Sequence, residues 1–180
     1  MRIFKKVLLG LAILIVVLVA VAYVLPRRMH AERSVTIQAS PAEVFAILNS
    51  YKRFNEWSPW AGKDPNAKYT YEGPEAGVGA SMSWTGNSDV GVGKQTITES
   101  KPDQLVKTHL AFGDGDAEAA FTLSADGTGT KVTWSLDADM GMNPIGRWFG
   151  LFFDGMIGKD YDQGLAKLKA LLESKPPASK

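Results

Sequence analysis

Residues 7–25 read VLLGLAILIVVLVAVAYVL, nineteen consecutive positions without a charge or a strongly polar side chain. In lipid every backbone N–H and C=O must be satisfied within the segment, so such a run is committed to helix. At about 1.5 Å per residue it reaches roughly the 30 Å of a hydrocarbon core. Lys5 and Lys6 precede it, and Pro26, Arg27 and Arg28 follow. Ala20-Val21-Ala22 resembles a signal-peptidase site, but the run exceeds the about 7–15 residues of a signal-peptide core. The reading is therefore an uncleaved single-pass anchor over residues 1–28, with a cleaved signal peptide as the alternative. Arg2, Lys5 and Lys6 nearly balance Arg27, Arg28 and Arg33, which Glu32 softens. The terminal amine tips the balance toward N-terminus inside, which puts the body outside the cytoplasm, in a bacterium the periplasm.

Charge separates the anchor from the rest. Of 20 basic residues, five lie in the first 28 positions, where there is no acid; the other 15 face 19 acidic residues. A mildly acidic body lacks the basic face that nucleic acid requires. The chain has no cysteine, which excludes disulfides and thiolate chemistry. Its two histidines, His30 and His109, would need carboxylates to complete a metal site. Val90-Gly91-Val92-Gly93-Lys94 lacks the spacing of a phosphate loop and leads into a strand. No G-x-S-x-G motif is present. Nothing in the sequence calls for a cofactor or a metal.

The body, residues 29–174, alternates as a sheet protein between helical ends. Residues 31–39 form a strand with Val35 and Ile37 on one face. Ser40-Pro41-Ala42-Glu43 carries an N-cap, a first-turn proline and the glutamate of a capping box. The helix that follows presents Val44, Phe45 and Leu48, and a second short helix runs from Tyr51 to Trp57. Strands are expected at 68–72, 79–85, 91–100, 104–112, 118–125 and 130–138, separated by Gly, Pro, Asn and Asp. One long helix should start at the Asn143 cap and run to Leu172. Gly155, Gly158 and Gly164 interrupt it at about 1 kcal/mol each, a cost tolerated where another chain segment or a ligand comes close. The tail, residues 175–180, reads as frayed.

This order, with RSVTIQASPAEVFAIL at its start, FNEWSPW at 54–60 and GMIGKDYDQGLAKLKALLE at its end, resembles the START-like (SRPBCC) superfamily, and within it the polyketide cyclase/dehydrase-type members. The resemblance covers residues 31–174. It implies an α+β helix-grip fold, a curved seven-stranded antiparallel sheet around the C-terminal helix, with two short helices. It also implies a cavity between sheet and helix for a hydrophobic small molecule or lipid. Shared fold does not choose among carriers, receptors and enzymes.

Candidates for the cavity wall are Trp57, Trp60, Trp84, Phe112, Phe121, Trp134, Phe149, Phe153, Ile157 and Tyr161. Trp57 ends a helix and reads as an inward wedge, Trp60 as a rim. Candidates for chemistry are Tyr161, Asp160 and His109. His109 shares a face with Lys107, opposite Val106, Leu110 and Phe112, so alternation points it to solvent unless a bulge intervenes. Asp160 reads most simply as a boundary residue, because acids are seldom buried unpaired. The leading expectation is a membrane-tethered, non-catalytic binder or carrier of a hydrophobic molecule. A cyclase/dehydrase-type enzyme acting on a carbonyl substrate is the alternative, and a protein-interaction module the third.

Overall fold

The computed structural model of the chain describes residues 2–113 and 115–174. Residues 7–22 of the apolar run lie in α1 (Arg2–Ala22), whose membrane-length window buries nothing against the rest of the chain, and residues 23–25 form the turn that follows. Helix α1 is long and apolar enough to cross a membrane or to serve as a signal sequence. The chain turns through Pro26 into β1 (Arg28–Ile37) and then α2 (Pro41–Leu48), followed by a 3-10 helix (Tyr51–Glu56). Six strands follow: β2 (Lys68–Glu72), β3 (Ser81–Thr85), β4 (Val92–Lys101), β5 (Leu105–Phe112), β6 (Gly115–Asp126) and β7 (Gly129–Asp139). They form a meander closed by β1, giving one seven-stranded antiparallel sheet in the order β1-β7-β6-β5-β4-β3-β2. Helices α3 (Pro144–Gly150) and α4 (Phe153–Glu173) complete the chain.

Local chemistry sets these boundaries. Ser40 Oγ accepts from the Glu43 N–H while Glu43 Oε2 accepts from the Ser40 N–H, so the capping box forms in full. The buried face of α2 is Val44, Ile47 and Leu48, an i, i+3, i+4 set; Phe45, expected there, is only half-buried. Strand β1 starts three residues before the expected Ala31, because Arg28 and Met29 pair with Asp139 and Ala138 of the long β7.

The single C-terminal helix of the sequence reading is two helices. Asn143 caps α3, accepting from the N–H groups of Ile145 and Gly146 at 3.0 Å each. The break falls at Leu151–Phe152, where three-residue hydrogen bonds from Leu151 to Trp148 and from Phe152 to Phe149 close the first helix. Tertiary contacts cause it. A Cβ on Gly150 would sit 2.1 Å from Met29 Sδ, so the end of α3 lies hard against β1, while α4 swings away along the sheet.

Helix α4 grips one half of the sheet. It packs on β1, with Tyr161, Leu165, Leu168 and Leu172 buried against an inner face that includes Ile37, Val132, Trp134 and Leu136. Gly164 permits the close approach: a Cβ there would meet Trp134 Cζ3 at 2.8 Å and Pro59 Cδ at 3.0 Å. The inner face of β2–β5 is left to be roofed by the 3-10 helix and by the Trp57-Ser58-Pro59-Trp60 corner.

Candidate ligand-binding site

Under that roof lies a cavity of about 230 Å³. Its floor is two rows of directly paired residues on the sheet. One row is Phe112, Gly93, Trp84 and Tyr69; the next is Leu110, Gln95 and Met82. Paired residues in an antiparallel sheet share a face, so the register alone gathers them. In the first row Gly93 has no side chain, and the Trp84 ring fills the place: a Cβ on Gly93 would be 2.3 Å from Trp84 Cζ2. The indole N–H of Trp84 donates to the Val90 carbonyl at 2.9 Å, which fixes the ring across the β3–β4 hairpin. The opposite wall is Ile157 and Tyr161, one helical turn apart on α4, with Phe54, Asn55, Ser58 and Trp60.

The loop carrying the roof is tied to the floor. Asp64 is buried, its Oδ1 accepting from the Asn66 N–H at 2.9 Å and its Oδ2 from the Asn87 N–H at 2.7 Å. Lys63 donates to both oxygens of Asp160 at 2.8 and 2.9 Å, joining the same loop to α4.

Few polar groups face the space. Gln95 is 7 % exposed and Tyr161 2 %, and among the described residues neither the amide nor the phenol has a hydrogen-bond partner. Burial pushes the Tyr161 hydroxyl above its ordinary range, with Asp137 adding to the shift, so it stays a neutral donor. Asn55 also lines the cavity, and its Oδ1 is buried without a partner. Of the three, the Asn55 oxygen is fully buried, as are the unpaired indole nitrogens of Trp57 and Trp134 behind the wall, whereas the Gln95 amide and the Tyr161 hydroxyl open onto the cavity, where a ligand's polar group could meet them.

The structure divides the sequence candidates. Trp60, Trp84, Phe112, Ile157 and Tyr161 line the cavity, with Phe112 at its outer edge, 43 % exposed. Trp57, Phe121 and Trp134 do not. They form an aromatic block behind it: Trp57 meets Phe121 and Trp134 edge-on at 5.8 and 5.5 Å, and Trp134 stacks on Tyr161 at 3.7 Å. Phe153 is half-buried against the core and away from the cavity. Phe149 lies on α3, beyond the helix break, and is 62 % exposed.

The candidates for chemistry do not converge. His109 faces away from the cavity and pairs with Asp116 at 3.3 Å. The sheet's register shift falls in β4, between Ile97 and Glu99, so the alternation of β5 is undisturbed. Asp160 is engaged by Lys63, which leaves Tyr161 alone at the cavity. Among the described residues no group of three His, Cys, Asp or Glu is placed to hold a metal ion. Tyr69, Met82, Gln95, Leu110 and Leu136 were absent from the candidates. Gln95 did carry a signal, since it alternates with Ile97 and so puts an amide on an inward face.

The family profile described as "Polyketide cyclase / dehydrase and lipid transport" matches residues 28–173. No curated protein matches the chain significantly. Among solved structures, the KanY protein is 20% identical at a TM-score of 0.61, over 82% of this chain and 99% of its own. The Aha1 dimer from Colwellia psychrerythraea is 19% identical at 0.58, over 81% of this chain and 96% of its own. The di-domain ARO/CYC StfQ from the steffimycin biosynthetic pathway is 10% identical at 0.58, over 81% of this chain and 51% of its own. At these identities the likeness speaks for the fold alone.

Proposed function

The chain belongs to the polyketide cyclase/dehydrase and lipid transport family, and from that premise we propose that it binds or carries a hydrophobic, lipid-like molecule bearing a hydrogen-bonding group. The observation that carries this reading is Gln95, whose amide makes no hydrogen bond within the described residues and opens onto the cavity from a largely apolar, aromatic wall. Sites for drug-sized ligands run from about 300 to 1,000 Å³. A space of about 230 Å³ suits a small ring system, or the polar end of a longer molecule whose remainder leaves past Phe112. Binding rather than catalysis is the reading, because general acid–base work needs groups that reach the substrate together. The second reading, a cyclase/dehydrase-type reaction on a carbonyl, rests on Tyr161, a neutral donor at the cavity.

The membrane tether is part of the proposal. Arg147 is 8 % exposed and donates to the carbonyls of Tyr23 at 3.1 Å and of Ala22 and Leu25 at 3.5 Å. It thereby satisfies the open carbonyl end of α1 and places a cation at that helix's negative pole. This integration supports the reading of a retained anchor over a leader cut at Ala22. Arg2, Lys5, Lys6 and the terminal amine before the span set against Arg27, Arg28 and Arg33 after it lean to N-terminus inside. The body then lies on the extracytoplasmic side.

The test is native mass spectrometry of the full chain released from detergent. An apolar adduct should survive in the wild type and in His109→Asn, and be lost in Leu110→Trp, which fills the cavity while circular dichroism stays unchanged. An adduct absent from the wild type, or indifferent to Leu110→Trp, refutes the reading.

A further inference from the structure

Beyond α1 and its exit, the described residues expose ten large apolar side chains, and six of them fall within residues 142–156: Met142, Ile145, Phe149, Leu151, Phe152 and Met156, each 50–72 % exposed. They cover α3, the helix break and the first turn of α4. None belongs to the cavity. A soluble surface rarely concentrates bulky apolar groups in this way without something to cover them.

The patch is fixed to the apolar helix. Trp148, on α3, donates its indole N–H to the Leu18 carbonyl at 3.1 Å. Arg147, its neighbour, holds the carbonyls at the end of α1 and the Gly141 carbonyl at 2.7 Å, and its guanidinium lies 5.3 Å from the centre of the Tyr23 ring. The Tyr23 hydroxyl donates to the Met142 carbonyl at 3.4 Å. These contacts set a depth. Leu18 lies four residues before Ala22, where α1 ends, so Trp148 sits about 6 Å back along the helix at about 1.5 Å per residue. A bilayer that encloses the whole run therefore reaches the level of α3. Interfacial helices bury an apolar face about 5–10 Å into the headgroup and acyl boundary, and tryptophan is enriched at that level.

We infer that α3 and the start of α4 form a monotopic seat, embedded by Ile145, Phe149 and Phe152 in the same bilayer leaflet from which α1 emerges. The occupant of the patch is the lipid surface itself. The seat rests on the reading of α1 as a retained span, and it orients the domain. Register places Phe112, Trp84 and Tyr69 toward the end of the sheet where β1 begins, next to α1. The rim of the cavity thus lies at the membrane-proximal end of the domain.

The chain has no cysteine, so single labels are unambiguous. The full chain carries a nitroxide at Val16→Cys, Phe149→Cys, Phe152→Cys or Lys131→Cys, in phosphatidylcholine nanodiscs. Collision with oxygen, which partitions into lipid, is compared with collision with a water-soluble nickel chelate. The expected result is an oxygen-to-nickel ratio at 149 and 152 several-fold above that at 131 and approaching that at 16. A lipid-like ratio at 16 with a water-like ratio at 149 and 152 overturns the seat alone. A water-like ratio at 16 overturns both span and seat. Dipolar broadening at 149 without a gain in oxygen collision makes the patch a contact between copies and also overturns it. None of these readouts depends on what the cavity holds, so a failed seat and a failed ligand reading are told apart.

Discussion

Replacing Gln95 with leucine should move stability and binding in opposite directions. Gln95 is 93 % buried, between Leu110 and Met82 in the register, and its amide meets only the cavity. Burying an amide without a compensating hydrogen bond costs about 1–3 kcal/mol on protein mutational scales. Leucine has a similar length and no polar atom, and because the amide opens onto the cavity that amount is the upper bound of what the empty protein should gain. For a domain of this size about 1 kcal/mol shifts Tm by about 2–4 °C, so the expected rise is at most about 12 °C. With ligand bound the sign reverses. A hydrogen bond to the amide contributes a net of about 0.5–1.5 kcal/mol, and its loss should weaken affinity about 2- to 12-fold. The assay is thermal unfolding of the delipidated full chain in nanodiscs, paired with displacement of a fluorescent fatty acid. The reasoning fails if Gln95→Leu melts lower than the wild type when empty, since the amide would then be holding the fold together. It also fails if affinity is unchanged.

Gly164→Ala tests the close approach of α4. The new methyl overlaps Trp134 and Pro59 at 2.8 and 3.0 Å, and Trp134 is pinned by its stack on Tyr161. Overpacking of about 1–3 kcal/mol outweighs the gain of about 1 kcal/mol in helix propensity, so chemical denaturation should show net destabilisation of up to about 2 kcal/mol. Asp139 is held at about 2, below its ordinary 3.8, chiefly by the hydrogen bond from Arg27 at the exit of α1. A lowered carboxylate stabilises the fold above the unfolded value and ceases to as pH falls through the folded one. The Tm difference between wild type and Asp139→Asn should therefore be constant above pH 3.8 and close as pH falls toward about 2. A gap that widened in acid would contradict the assignment. His109→Asn should leave displacement of the fluorescent fatty acid unaltered, because the ring points away from the cavity; a change beyond twofold would put His109 back among the functional residues.

The strands were legible because each carries its own alternation and is bounded by turn residues, and the capping box is a four-residue signal that needs no tertiary help. The break at Leu151–Phe152 was not legible. It is imposed by Met29 against Gly150 and by the hold of Arg147 on α1, contacts distant in sequence. The cavity wall was half legible for a different reason. Alternation says that Trp57, Phe121 and Trp134 point inward, as do Trp84 and Leu110. It cannot say whether inward means helix or open space. That depends on where α4 crosses the sheet, and α4 lies over β1 and β7 rather than β3 and β4. Alternation with Ile97 turns Gln95 inward, but only the register, which sets it between Leu110 and Met82, places its amide at the cavity.

The off-centre position of α4 has a consequence for how such a protein can change. The part of the core that α4 covers sits on β1 and β7, whereas the floor of the cavity is supplied by β2–β5. Met82, Leu136 and Tyr161 serve both core and cavity, but most of the cavity floor and most of the helix-covered core are assigned to different strands. A substitution at Tyr69 or Leu110, both only partly buried, alters what fits without entering the Trp134–Tyr161 stack or the leucines of α4. Ligand preference can thus drift while the scaffold stays folded. One architecture can then pass from one hydrophobic cargo to another by single replacements in its hairpins, with no detour through an unfolded ancestor.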